Sequence, residues 1–222
     1  GHGERVLAVT SSHFATAEKE FRFPLGYGNQ RPLSASWTVT GSGAVIISSE
    51  KMAQKANMSD KNKVHITGIT TGKIVDFGVK DSMNMGACMA PAAGNVIVQN
   101  LIDNGRKPEW YDKIITGDLG LVGKDILLDI TRSKGYDIAD RYMDCGIEIY
   151  SREQEIQAGG SGCGCSASML AGYIVKMLEK GTWQRVLFVP TGALLSPVSF
   201  NEGDSVPGIA HAVVFECSGE SQ

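Results

Sequence analysis

The sequence predicts an α/β fold, in which helices pack on the faces of a β-sheet. The first observation is that β-branched, strand-like runs alternate with segments of helical apolar spacing through most of the chain. The second is that 27 of the 222 residues are glycine. That share is well above the roughly 7% of an average protein and indicates many tight turns and close backbone approaches.

The predicted strands are short apolar runs bounded by polar or glycine-containing turns. In chain order they cover residues 4–10, 40–49, 64–76, 112–116, 184–192 and 208–216. Helices are predicted from apolar residues at helical spacing, over residues 92–105, 124–134 and 166–181. From residue 64 onward the two kinds of element alternate, which is typical of an α/β sheet.

A polar connection divides the chain into two units. Residues 50–63 (EKMAQKANMSDKNK) contain no aromatic or β-branched residue and are rich in lysine, asparagine and aspartate, which is typical of an exposed segment. We therefore expect a boundary near Asp60, between a first unit of residues 4–60 and a second of residues 61–222. The first unit holds only two predicted strands, which is half of a sheet.

Charge and hydropathy exclude several classes of function. The chain has 21 Lys and Arg against 24 Asp and Glu, a net charge of −3, so it has no basic excess for binding nucleic acid. We expect no apolar run of the ~20 residues that cross a bilayer, and no signal peptide. The five cysteines contain no CxxC pair, which favours a reducing compartment. A soluble, cytosolic protein is expected.

The sharpest local pattern is GGSGCG at residues 159–164, directly before a predicted helix. The N–H groups and partial positive charge of a helix N-terminus would suit a carboxylate or other oxyanion there. Equally, the glycines could serve only close packing of the helix on the sheet. Ser161, Gly162 and Cys163 are thus candidate ligand-binding residues. Cys163 and Cys165 are either reactive thiols or buried small hydrophobic residues, and the cysteine spacing predicts no metal site.

Three more side chains are candidates because of where they lie along the strands. His13 follows the first strand and Asp118 follows the strand at 112–116, and ligand sites in α/β proteins gather at such ends. Asp118 could bind a ligand, cap the following helix, or do both. His211 lies in a strand of small residues, where a structural role competes with that of an acid or base.

Several segments together resemble one known family. They are TSSHFATAEKEFRFP (10–24), TVTGSGAVIISS (38–49), DSMNMGACMAPAA (81–93), IITGDLGLVG (114–123), DCGIEIY (144–150), AGGSGCGCSA (158–167) and VPTGALLSP (189–197). In this order, and with the closing GIAHAVVFE, they closely resemble the stage V sporulation protein AD family of endospore-forming Firmicutes. The resemblance covers essentially the whole chain and is more specific than any single motif.

The resemblance implies a thiolase-like α/β fold, in which two similar halves stack as αβαβα layers. Residues 4–60 would then be the remnant of the N-terminal half, and residues 61–222 the complete C-terminal half. The segment in which thiolase-like enzymes carry their nucleophilic cysteine is expected to precede residue 4.

The resemblance also bears on catalysis. Thiolase-like condensing enzymes carry a histidine, and an asparagine or second histidine, at positions that fall near Asp118 and near Ser161 or Gly162. Neither position holds such a residue here, so acyl transfer would lack its usual base and oxyanion donor. Whether the chain is an enzyme stays open, with binding favoured. The alternatives are an acyl-CoA acyltransferase that uses Cys163 or Cys165, and a scaffold subunit of a membrane assembly that binds no ligand.

The family is associated with uptake of dipicolinic acid (pyridine-2,6-dicarboxylate) into the developing spore. This ligand is a rigid aromatic dianion, which calls for N–H donors or cations at its carboxylates and an apolar slot for its ring. The expected ligand-binding residues are His13, Arg22 or Arg31, Asp118, Ser161, Gly162, Cys163 and His211. No intrinsic cofactor is expected, and any calcium would arrive with the ligand, since no EF-hand loop is present.

The resemblance further implies membrane proteins of the same sporulation transport assembly as partners. The chain would attach peripherally to the cytosolic side of the forespore inner membrane. Thiolase-like proteins are commonly dimers, so a homodimer is expected for the family. For this chain the expectation is weaker, because part of the half that builds the dimer interface is expected to be missing.

Overall fold

The structure is a computed structural model that describes residues 3–21, 32–56, 63–154 and 156–217. Its strands are β1 (Arg5–Ser12), β2 (Trp37–Thr38), β3 (Gly41–Ser48), β4 (Val64–Thr70), β5 (Lys113–Thr116), β6 (Tyr142–Asp144), β7 (Gly160–Ser161), β8 (Arg185–Val189), β9 (Thr191–Ala193), β10 (Gly208–Ala210) and β11 (Ala212–Cys217). Its helices are α1 (Phe14–Phe21), α2 (Glu50–Lys55), α3 (Met85–Asp103), α4 (Gly120–Ser133), α5 (Cys145–Glu148), α6 (Cys163–Met169), α7 (Val175–Glu179) and α8 (Pro197–Asn201). Single turns of other helix types are Pro108–Trp110, Ala139–Arg141, Arg152–Gln154 and the π-helical Leu170–Ile174 between α6 and α7.

The central sheet has five strands in the order β4–β11–β8–β5–β6. β5 is parallel to both of its neighbours, and β11 is antiparallel to both of its own. The parallel strands β5, β6 and β8 therefore end at the same edge of the sheet, where ligands of α/β proteins bind. Three polar residues lie at or just beyond those ends, namely Asp118, Asp144 and Thr191.

Helices cover both faces of this sheet. On one face α3 and α4 bury Ile97 and Leu127 against Ile114 of β5. On the other face, the segment from α6 to α7 buries Leu178 in a second cluster with Ile115. Consecutive residues of β5 thus point into opposite clusters, as in a strand that is covered on both faces. The α/β architecture predicted from the sequence is confirmed.

Helix α3 begins at Met85 rather than at residue 92. The Asn84 side chain caps it by accepting a hydrogen bond from the Ala87 N–H at 3.3 Å. Gly86 lets α4 approach closely, since a Cβ there would lie 2.3 Å from the Leu119 carbonyl oxygen. Contrary to the sequence-based expectation, α3 is long and apolar enough to cross a membrane by length and composition alone, but 67% of that stretch is buried in the protein. Because it packs against both α4 and the strands, α3 is a core helix.

The first unit contributes an antiparallel ribbon of β1 and β3 beside the central sheet. Glycines in β3 allow this ribbon to pack directly on α6, and a Cβ on Gly43 would lie 2.3 Å from the Ala167 carbonyl oxygen. The opposite face of the ribbon carries exposed Leu7, Val9 and Ile46. This packing brings the end of β1 to the start of α6.

Other differences from the predicted elements concern short segments. The predicted strand at 64–76 ends at Thr70, because the backbone at Gly72 passes against β10 and a Cβ there would lie 1.7 Å from the Ala210 carbonyl oxygen. The helix predicted at 166–181 begins at Cys163 and contains a π-helical turn. The boundary predicted near Asp60 lies outside the described residues.

Candidate functional site

Asp118 links the ends of two parallel strands to the start of α6. Its Oδ2 accepts a hydrogen bond from the Gly162 N–H at 2.8 Å, and its Oδ1 accepts one from the Thr191 hydroxyl at 2.7 Å. The side chain is 9% exposed. Asp118 therefore holds together three segments that are far apart in sequence, and the strand-end rule correctly placed it at this edge.

A second carboxylate, Asp144, lies at the end of β6 and is fully buried. It accepts hydrogen bonds from the Thr116 hydroxyl at 2.7 Å and from three backbone N–H groups, those of Leu119, Gly120 and Ile147, at 2.9 to 3.1 Å. Burial disfavours the charged form and raises the pKa of Asp144 to about 6. The negative charge of Asp118 also raises this pKa, whereas the hydrogen bonds to the carboxylate lower it. The sequence analysis missed this residue.

The start of α6 is closed by protein groups. Gly162 has a φ of +94°, a conformation that favours glycine. Its N–H is bonded to Asp118, as described above, and the Gly164 N–H donates to the Ser12 hydroxyl at 3.0 Å. That hydroxyl in turn donates to the Val39 carbonyl oxygen at 2.6 Å. The sequence predicted that N–H groups at this helix start would bind a ligand carboxylate. In this conformation the N–H groups of Gly162 and Gly164 are bonded to Asp118 and Ser12 instead.

An aromatic pair lies next to His13, and the sequence analysis did not foresee it. The rings of Phe14 and Trp37 are stacked, with centroids 5.7 Å apart and an interplanar angle of 16°. The Phe14 N–H donates to the Thr40 hydroxyl at 3.0 Å, and the Trp37 Nε1–H donates to the Gln157 side-chain oxygen. The two rings, both half-buried, cover each other's inner faces and leave an apolar surface beside the end of β1.

His13 itself is exposed at the end of β1. Its Nδ1 lies 3.1 Å from the Thr16 hydroxyl and accepts from the Thr16 N–H at 3.4 Å. The Nδ1 atom is thus turned toward its own helix α1. Its Nε2 is the ring nitrogen that can point toward a ligand.

The cysteines differ sharply in accessibility. Cys163 is exposed, and its thiol donates to the Ser11 carbonyl oxygen at 3.0 Å. Cys145 and Cys165 are buried beside the two carboxylates, and burial raises the pKa of both thiols well above its ordinary value. A buried, protonated thiol is a poor nucleophile. Among the described residues no cluster of His, Cys, Asp and Glu could hold a metal ion.

The remaining sequence-predicted site residues lie in different surroundings. Ser161 is buried in β7, which pairs in parallel with β2. His211 is exposed, and its Nδ1 accepts a hydrogen bond from the Gly72 N–H at 3.1 Å. Its own N–H donates to the Pro190 carbonyl oxygen, next to the Thr191 that contacts Asp118. Arg22 and Arg31 lie outside the described residues.

A cleft of about 370 Å³ lies elsewhere, between the loop after β4 and helix α8. It is lined by Asp76, Leu194, Ser199, Asp204, Ser205 and Pro207. Asp76 accepts hydrogen bonds from the Ser205 hydroxyl and the Gly78 N–H. Two carboxylates would repel a dianion, so this cleft does not suit a dicarboxylate ligand. None of the sequence-predicted site residues lines it.

The family model of stage V sporulation protein AD matches residues 1–216 of the chain. The stage V sporulation protein AD of Bacillus subtilis (strain 168) is 46% identical over 219 residues, which is 99% of this chain and 62% of that protein. The chain therefore spans less than two thirds of the length of this curated relative.

Solved structures of thiolases are similar in fold. The acetyl-CoA acetyltransferase from Syntrophomonas wolfei has a TM-score of 0.50 at 14% identity, covering 83% of this chain and 38% of that one. Human mitochondrial 3-ketoacyl-CoA thiolase has a TM-score of 0.46 at 20% identity, with 83% and 37% covered. At 14% identity the similarity to the Syntrophomonas wolfei enzyme shows the fold alone, and the fold is thiolase-like.

Proposed function

The chain belongs to the stage V sporulation protein AD family and acts in sporulation, and on that premise we propose that it binds dipicolinic acid and serves in the uptake of this compound into the developing spore. The observation that carries the proposal is the stacked pair of Phe14 and Trp37 beside His13 at the end of β1. A pyridine ring can stack on such a surface while its carboxylates meet polar groups at the edge.

The two carboxylates of the ligand require compensating groups. His13 stands next to the aromatic pair and presents Nε2 as a donor. Arg22 and Arg31 are the proposed cations for the second carboxylate, which a guanidinium binds through two parallel hydrogen bonds. Cys163 and the loop at Ser161 and Gly162 form the opposite wall.

Asp118 is proposed to act on the ligand site through the backbone. Its carboxylate would repel the dianion at close range, and both of its oxygens are engaged by Gly162 and Thr191. It fixes the loop before α6 in the conformation that the ligand meets. His211 lies on the far side of the loop that carries Thr191. It is proposed to contribute to ligand binding electrostatically, from a greater distance.

Calcium, location and partners belong to the same proposal. Calcium would enter together with dipicolinate, because the ligand itself supplies the oxygen atoms that calcium prefers. The chain would act on the cytosolic side of the forespore inner membrane, bound to the membrane proteins of the transport assembly. A homodimer is proposed for the full-length family member.

Acyl transfer is the weaker candidate on the described residues. Cys165 is fully buried with a raised thiol pKa, and no histidine is bonded to Cys163, whose thiol donates to a carbonyl oxygen instead. A nucleophilic cysteine needs an adjacent base or a lowered pKa. The carboxylates nearby already accept hydrogen bonds from backbone and hydroxyl groups and hold structure.

Calorimetric titration tests the proposal. Dipicolinate is expected to give saturable heat at one site per chain, with and without calcium, because ring stacking and two carboxylate contacts act together. Benzoate, with one carboxylate on a similar ring, is the control. It is expected to give no saturable heat over the same range of ligand concentration. Absence of saturable dipicolinate heat, or benzoate binding of equal strength, would contradict the proposal.

A further inference from the structure

Two arginines share one indole ring at the end of the sheet opposite to the proposed dipicolinate site. Arg106 follows α3, and its Cζ lies 3.6 Å from the centroid of the Trp110 ring. Arg185 is the first residue of β8, and its Cζ lies 4.8 Å from the same centroid. Both guanidinium groups therefore contact one indole ring, near the N-terminal ends of β5 and β8.

A buried chain of hydrogen bonds holds Arg106 in place. Its Nη1–H donates to the Tyr111 hydroxyl at 3.3 Å. That hydroxyl donates to the Asn100 side-chain oxygen, and the Asn100 amide donates to the Thr70 hydroxyl at 2.8 Å. Tyr111 and Asn100 are fully buried. Since the guanidinium is also stacked on the indole, it is largely pre-organised, which lowers the entropic cost of binding an anion.

Arg185 has one donor that is not used. Its Nε is buried and has no hydrogen-bond partner within the part of the chain that the structure describes. A buried charged donor without an acceptor costs free energy unless an anion is supplied. No carboxylate of the described residues forms an ion pair with either guanidinium at this position.

The carboxylates nearest to Arg185 are engaged elsewhere. Asp112 Oδ2 accepts hydrogen bonds from the backbone N–H groups of Gln184 and Arg185, at 2.7 and 2.8 Å. Glu216 lies opposite Arg185 in the neighbouring strand, and its side chain accepts from the Thr67 hydroxyl. Both acids therefore accept hydrogen bonds from local groups, and neither forms an ion pair with the Arg185 guanidinium.

We propose that Arg106 and Arg185, framed by Trp110, bind a phosphate group. Two guanidinium forks offer more donors than one carboxylate can accept, whereas inorganic phosphate or a phosphomonoester has at least three terminal oxygens and up to two negative charges. The phosphate belongs either to a small soluble molecule or to a lipid headgroup, and the recognising chemistry is the same. This site is independent of dipicolinate binding.

Titration with inorganic phosphate at low ionic strength tests the site. The unsubstituted protein is expected to bind saturably, and Arg106→Gln and Arg185→Gln are each expected to weaken binding about tenfold. Arg132→Gln is the matched control, because it removes the same charge from an exposed arginine paired with Asp129 and Asp137. An equal loss of phosphate affinity in the Arg132→Gln control overturns the proposal.

A second variant separates recognition from simple charge and from misfolding. Arg106→Lys keeps the charge but loses the planar fork, and it is expected to weaken phosphate binding while leaving the thermal unfolding midpoint close to that of the unsubstituted protein. Unchanged phosphate affinity in Arg106→Lys, together with unchanged affinity in Arg185→Gln, rejects the site.

Vesicles distinguish the two sources of phosphate. Co-sedimentation with phosphatidic acid vesicles but not with phosphatidylcholine vesicles, lost in Arg106→Gln and kept in Arg132→Gln, supports a lipid headgroup. Saturable inorganic phosphate binding without vesicle binding supports a soluble phosphate. If neither vesicles nor inorganic phosphate bind in a manner that depends on Arg106, the proposal is wrong.

Discussion

Replacing Asp144 with asparagine is expected to lower the free energy of unfolding by about 3 kcal/mol. The carboxylate accepts four hydrogen bonds, three from the segment 116–120 and one from the Ile147 N–H of its own segment. An asparagine would turn its NH₂ group toward one pair of these donors and leave them buried without an acceptor. Urea denaturation at neutral pH measures the loss.

The control is Asp140→Asn, which makes the same chemical change at an exposed position in the turn before β6. Surface substitutions of this kind change stability by roughly 0.5 kcal/mol or less. Equal free energies of unfolding for Asp144→Asn and Asp140→Asn would show that the buried carboxylate does not hold the strand ends together.

The same residue makes stability depend on pH. The folded-state pKa of Asp144, about 6, lies above the value of 3.8 for an unperturbed aspartate, so the folded protein binds the proton more tightly than the unfolded chain. This contribution to stability is fully present below about pH 4 and is lost as the pH rises through about 6. As the pH rises through that range, the difference in unfolding free energy between the unsubstituted protein and Asp144→Asn should become smaller. A difference that does not change with pH would contradict this prediction.

Replacing Phe14 with alanine is expected to raise the dissociation constant for dipicolinate about tenfold, because the ligand ring loses its stacking surface. Calorimetric titration measures the change. Phe77→Ala is the matched control, since Phe77 is 68% exposed and lies in the loop after β4. An affinity that is the same in both variants would remove the aromatic pair from the ligand site.

The sequence predicted the long elements well, for a physical reason. Runs such as residues 112–116 and 184–192 are buried on both faces, and their uninterrupted apolar character marks them as strands of a covered sheet. Because β5 and β8 are parallel, the residues after them meet at one edge, so Asp118 was found at a strand end. The family resemblance then supplied the thiolase-like fold.

The parts that escaped prediction depend on contacts between distant segments. β6 and β7 have only three and two residues, too few to show a period. No sequence pattern pointed to Asp144, because nothing in the neighbouring sequence indicates that four hydrogen-bond donors will surround its carboxylate. The stacking of Phe14 on Trp37 depends on how the ribbon of β1 and β3 lies on α6, which in turn depends on Gly43.

The accessible thiol of Cys163 offers the most direct test of where dipicolinate binds. Its Sγ contacts the Ser11 carbonyl oxygen, two residues before His13, so a ligand between the aromatic pair and the start of α6 would cover it. We would measure the alkylation rate of each cysteine by peptide mass spectrometry, with and without saturating dipicolinate. The alkylation rate of Cys163 is expected to fall several-fold with dipicolinate, while that of half-buried Cys217 stays constant. Saturable dipicolinate binding with an unchanged Cys163 rate would place the ligand elsewhere and contradict the account.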